Sequence, residues 1–132
     1  MQTPGGRAPN KLKNMTKRRA ERLTGYEVRQ LHERDPRGRV AYGAFDEDEL
    51  IAAGAHLTDE LAFEVLVREV YRLHSLEVLR RNDGRCARCR SSRRLQIHHR
   101  RYRSRGGTHR IENLEPVCRD CHKLIHKLER SQ

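Results

Sequence analysis

The chain has 132 residues, of which 35% are hydrophobic and 36% charged, with no Trp and a formal net charge of +11. So little apolar material excludes one large core. No stretch has the length and apolarity of a membrane span or a signal peptide, so no membrane partner and an intracellular, cytoplasmic setting are expected. The charge is unevenly placed. Residues 1–39 carry 11 Lys/Arg against 4 Asp/Glu, residues 40–79 carry 2 against 9, and residues 80–132 carry 16 against 5. The whole net excess therefore sits in the last segment, and one sign of charge gathered in one module attracts a polyanion, most simply nucleic acid.

Three regions follow: a basic, partly disordered N-terminal arm (1–39), an acidic helical region (40–79) and a basic module (80–132). Residues 1–15, with two Pro and two Gly, are expected to be disordered. Thr16 caps a helix expected over 17–34, with Leu23, Val28 and Leu31 as its apolar stripe and Lys17, Arg18, Arg19 and Arg22 at its start. These cations are either a solvated face or an arm along phosphates. Asp35-Pro36-Arg37-Gly38 marks a turn. A short extended piece is expected over Val40–Phe45, and Asp46-Glu47-Asp48-Glu49 reads as the acidic first turn of a helix ended by Gly54. Thr58 then opens a long helix to about Arg81, with Leu61, Val65, Leu73 and Leu76 as its apolar face. That helix is the candidate packing support, or the seam of a homodimer. Asn82-Asp83-Gly84 breaks it. His32, His56 and His74 are read as structural or surface residues.

All four cysteines lie in two Cys-x-x-Cys pairs, Cys86/Cys89 and Cys118/Cys121. Each pair puts two thiolates within reach of one tetrahedral ion, and four soft sulfur ligands select zinc in a closed, structural site. A redox role fits poorly without a thioredoxin-like βαβ pattern. The 28 residues between Cys89 and Cys118 exceed ordinary zinc-ribbon spacing and are expected to carry function.

That insertion holds an alternating strand, Arg94 to His99, ending in two imidazoles. A basic loop with Arg100, Arg101, Arg103, Arg105 and Gly106-Gly107 follows, then Asn113 and a second strand over Leu114–Val117. A helix is expected from Arg119 to about Leu128, on which His122 and His126 share a face. Leu124, Ile125 and Leu128 are placed to pack against the strands. His109 is read as a loop residue without a partner, either a phosphate contact or a residue with no role.

The segment Leu79 to His126 resembles the HNH endonucleases. The likeness rests on His98-His99, Gly106-Gly107, Asn113-Leu114, and Cys118-x-x-Cys121-His122 followed by Ile125-His126, and leaves residues 1–78 aside. The fold class expected from it is α+β: a ββα-metal module with structural zinc, preceded by a helical extension and a disordered basic tail. The resemblance implies His99 as general base, with Asn113 holding the base's loop. It also implies His98, His122 and His126 as ligands of one catalytic divalent metal. Nitrogen ligands favour Zn²⁺, Ni²⁺, Co²⁺ or Mn²⁺ over Mg²⁺. The substrate implied is DNA, cut to a 5′-phosphate and a 3′-hydroxyl, and small proteins of this kind occur in bacteria and phages. Arg100, Arg101, Arg103 and Arg105 are the expected phosphate contacts. Strict alternation sends His98 and His99 to opposite faces, so their two roles require the strand to end or bend there. The competing function is a zinc-stabilised nucleic-acid-binding module without catalysis. An RNA-directed nuclease is disfavoured by an aromatic content of 5%.

Overall fold

The computed structural model describes residues 15–130, and the chain divides into two compact units at Tyr71/Arg72. Apart from Met15, which is buried, the tail expected to be disordered lies outside the described residues.

The first unit begins with helix α1 (Lys17–Thr24). The Thr16 side chain caps it, accepting from the Arg19 amide at 3.1 Å. The helix expected over 17–34 stops at Thr24. Gly25 takes a left-handed conformation (φ 83°) and donates its amide to the Glu21 carbonyl. The Thr24 hydroxyl donates back to the Ala20 carbonyl at 2.8 Å, which closes the last turn. Val28 and Leu31, read as a helical stripe, instead lie in strand β1 (Glu27–His32). The Asp35 carboxylate organises the following turn by accepting the amides of Arg37 and Arg39 at 2.9 Å each.

Strands β2 (Val40–Asp46) and β3 (Glu49–His56) complete an antiparallel sheet of order β1-β2-β3. The helix expected from Asp46 is therefore absent, and the acidic tetrad is the hairpin connection, with Asp46 paired to Glu49 and Glu47 at φ 57°. Residues 40–56 form a hairpin, and the acidic region is helical only from Asp59 onward. Tertiary packing overrides the helical preference of the Ala-rich run Leu50–Ala55. A Cβ on Gly54 would lie 2.5 Å from the Leu66 amide nitrogen and 2.7 Å from the Ala62 carbonyl oxygen, so the strand sits against helix backbone that only glycine allows.

That helix is α2 (Asp59–Arg81), capped by the Thr58 hydroxyl, which accepts the Leu61 amide. Its buried stripe is Ala62, Phe63, Leu66, Val67 and Val70, continued in the second unit by His74 and Val78. The expected face is displaced: Leu61, Val65 and Leu73 are half-buried and Leu76 is 53% exposed. The hydrophobic residues are spread around the helix, so spacing alone selects no face. Across the sheet, Tyr42 meets Phe63 with ring centroids 4.4 Å apart.

In the second unit, α2 ends at Asn82-Asp83-Gly84, with Asp83 and Gly84 at positive φ and the Gly84 amide on the Leu79 carbonyl. Strand β4 (Leu95–His99) pairs antiparallel with β5 (Leu114–Cys118), and helix α3 (Arg119–Arg130) follows directly. The whole is a mixed α and β chain. Among the described residues no helix is long and apolar enough to cross a membrane.

Candidate metal and nuclease site

The two cysteine pairs meet, with all four Sγ atoms within 4.8 Å of one another. The Sγ atoms of Cys89 and Cys118 lie 3.6 Å apart. Thiolates about 2.3 Å from a tetrahedral zinc stand roughly 3.8 Å apart, so the group is compatible with one ion. Each pair folds as a knuckle whose amides turn towards sulfur. Arg88 and Cys89 donate to Cys86 Sγ at 3.3 and 3.4 Å, and Cys121 donates to Cys118 Sγ at 3.4 Å. Burial works against ionisation of Cys86, but these amide bonds outweigh it and bring its thiol down to about 6. Cys121, sharing a proton with the Cys118 sulfur and partly buried beside further sulfurs, is pushed up to about 12. Four thiolates repel unless a cation lies among them, so this donor set fits a divalent metal. The first knuckle is tied to β5 by the Ala87 amide on the Pro116 carbonyl, and α3 starts with the Arg119 amide on the Arg94 carbonyl.

Beside the cysteines, β4 and α3 bring three imidazoles together. The His98 ring lies 5.3 Å from that of His122 and 6.4 Å from that of His126, centroid to centroid. His122 and His126, one helical turn apart, approach to 3.1 Å between their Nε2 atoms. Two such nitrogens share either a proton or an ion. Burial, and then the charge of His126, lowers the pKa of His122; burial likewise lowers that of His98. Both rings therefore favour the neutral form that ligates metals.

His99 meets a different partner. It pairs with Leu114 at the end of β4, and the strand gives way to a bend at Arg100. Its Nε2 lies 2.9 Å from Nδ1 of His109. His109, expected to stand alone in the loop, is instead 4% exposed. Its own backbone carbonyl accepts from Nδ1 of His74 at 2.8 Å, so that nitrogen of His74 carries a proton. Burial, then the charges of His99, Arg103 and His74, pulls His109 down to about 4. Burial followed by the charge of Arg103 lowers His99 as well. A histidine at the centre of a polar loop gives no periodic signal, so sequence reasoning missed His109. The hint for His74 was its place one turn beyond Val70, on the buried stripe of α2.

Asn113 closes the loop between the strands. Its Oδ1 accepts the Arg101 amide at 2.8 Å, and its Nδ2 donates to the carbonyls of Arg101 (3.1 Å) and Thr108 (2.7 Å). Gly107 completes the closure, since a Cβ there would lie 1.8 Å from the Arg101 carbonyl oxygen. The four loop arginines separate. Arg100 pairs with the buried Glu115 at 3.1 Å, which also accepts from Arg88 at 2.8 Å. Arg101 donates its Nε to the Arg105 carbonyl. Arg103 and Arg105 lie exposed on a short 3₁₀ turn.

Residues 86–128 match the family model described as HNH endonuclease, the family that the motif resembles. The match runs from the first cysteine into α3, spans about a third of the chain, and includes none of the first unit. An HNH domain points to nuclease activity and hence to a nucleic-acid substrate. No curated protein and no solved structure matches the chain.

Proposed function

We propose that this chain is a metal-dependent DNA endonuclease that hydrolyses phosphodiester bonds, and that the four cysteines hold a structural zinc. The observation that carries the reading is the grouping of His98, from a strand, with His122 and His126, from a helix, their ring centroids 4.5 to 6.4 Å apart. These three would hold one divalent cation, with Zn²⁺, Ni²⁺ or Mn²⁺ preferred to Mg²⁺ by nitrogen ligands. Bound there, it would neutralise charge on the phosphate as a Lewis acid.

His99 is the general base in this reading. Burial and the nearby Arg103 favour its neutral form, which a base needs if it is to take the proton of the attacking water. Asn113 holds the loop that carries His109, and so the ring against which His99 rests. Arg103 and Arg105 are exposed and suited to backbone phosphates, whereas Arg100 and Arg101 are engaged within the protein and act mainly by shaping the loop.

Supercoiled-plasmid nicking with Mg²⁺, Mn²⁺, Ni²⁺ or Zn²⁺ tests this. Wild type is expected to cut, and His99→Ala to cut about 10² to 10⁴ more slowly while still shifting DNA in a gel. Binding without cleavage under every ion would instead favour a zinc-stabilised nucleic-acid-binding module.

A further inference from the structure

One face of the histidine cluster carries a hydrogen-bond chain that no motif residue accounts for. Tyr102 stands just before the 3₁₀ turn Arg103–Arg105, and its carbonyl accepts the amides of Arg105 and Gly107 at 2.9 Å each. Its ring stacks on that of His126, with centroids 5.5 Å apart and planes inclined by 21°, and meets His98 edge-on at 5.9 Å. The Tyr102 hydroxyl lies 3.2 Å from Nδ1 of His126 and donates to Oε1 of Glu129, one turn further along α3.

A phenol has a single proton. Given to the Glu129 carboxylate, it leaves the Tyr102 oxygen as an acceptor, and the only hydrogen bond it can then make to His126 is from Nδ1–H. A neutral imidazole protonated at Nδ1 has its lone pair on Nε2, the atom that faces His122 at 3.1 Å. The carboxylate, the phenol and the imidazole thus form a directed relay whose far end is a metal-ligating nitrogen. Partners of this kind fix the tautomer and orientation of a ligand histidine and raise its basicity.

We propose that Tyr102 and Glu129 are positioning residues for the histidine site, holding His126 as the Nδ1–H tautomer so that Nε2 is presented to a divalent cation. The inference rests on His98, His122 and His126 forming a metal site, as argued above.

The test is a Co²⁺ titration of the full chain after its cysteines have been loaded with zinc, followed by visible absorption. The ¹⁵N chemical shifts of His126 are recorded before cobalt is added. Wild type is expected to bind a cobalt ion that His126→Ala does not, and to show the Nδ1–H tautomer. Tyr102→Phe keeps the stacked ring and removes only the hydroxyl. It should bind Co²⁺ about 10- to 100-fold more weakly, with the His126 shifts moving towards Nε2–H. Glu129→Gln, whose amide oxygen still accepts but lacks the charge, should fall between the two. Unchanged affinity and unchanged tautomer in Tyr102→Phe would overturn the positioning role while leaving the metal site standing. A wild type that takes up no such cobalt would overturn both.

Discussion

The first unit buries Val28, Ala44, Ala52, Ala62, Phe63, Leu66 and Val70, with the polar Thr24 buried as well, so its interior is mainly apolar and is built on a three-stranded sheet and a helix. Around Val117 the second unit buries Cys86 and Cys118, with Leu95, Cys121 and Ile125 packed against them. Two strands and so few aliphatic groups are a poor source of hydrophobic stabilisation, and Leu124 and Leu128, expected to pack inward, are more than half exposed. The contrast teaches that one chain uses two stabilising principles. The first unit relies on removing apolar surface from water; the second places thiols where its core belongs, in a cluster that could hold a metal ion.

The largest expected effect tests that difference directly. A metal chelator strong enough to strip the cysteines, or Cys118→Ser, should remove about 10 kcal/mol or more from the second unit. Amide hydrogen exchange on the full chain would then show β4 and β5 losing protection while β1 to β3 keep it. Equal protection of β4 and β5 with and without metal would mean that apolar packing suffices there after all.

The converse experiment is smaller. Leu66 is fully buried, and Leu66→Ala should cost about 2–5 kcal/mol, the removed methyl groups plus the cavity they leave. Exchange should rise first across Glu27–His56. Leu76→Ala, on the exposed side of the same helix, should change stability by no more than about 0.5 kcal/mol. Similar losses from both would show that the buried stripe of α2 is not what holds the sheet.

How much of this could be read in the sequence divides along the same line. Cys-x-x-Cys pairs and histidines one turn apart have geometric consequences that hardly depend on surroundings, so the cysteine cluster, the two strands and the helix that carries His122 and His126 were legible. The first unit was not, because its strand β3 is written in residues that favour helices and its hairpin turn is acidic like a helix start. What decides between the two is Gly54 lying against the backbone of α2, a long-range contact with no local signature. His109 and Tyr102 escaped for a related reason. Each is joined by its side chain to a histidine distant in sequence, His109 to His99 and Tyr102 to His126, and no spacing rule encodes such a contact.

His109 also supplies the shallowest prediction, one that separates the polar interior of the second unit from the mainly apolar interior of the first. Its pKa falls from an ordinary value near 6.5 to about 4, because burial, reinforced by His99, Arg103 and His74, disfavours the charged ring. Above the unfolded value both states are neutral and the group adds no pH dependence. Between roughly 6.5 and 4 the unfolded chain takes up a proton that the folded chain refuses, so stability falls as pH falls; below about 4 both are charged and the slope ends. Burial lowers His98, His99 and His122 in the same direction, and their contribution remains when His109 is replaced. His109→Gln can still hydrogen-bond to His99 through its amide but does not titrate. Urea midpoints of the second unit, read from β4 and β5 amide signals at pH 7, 5.5 and 4.5, should therefore decline less steeply in this variant than in wild type. Parallel declines would mean that His109 is charged in the folded protein at mildly acidic pH, and that its ring is wetter than its burial implies.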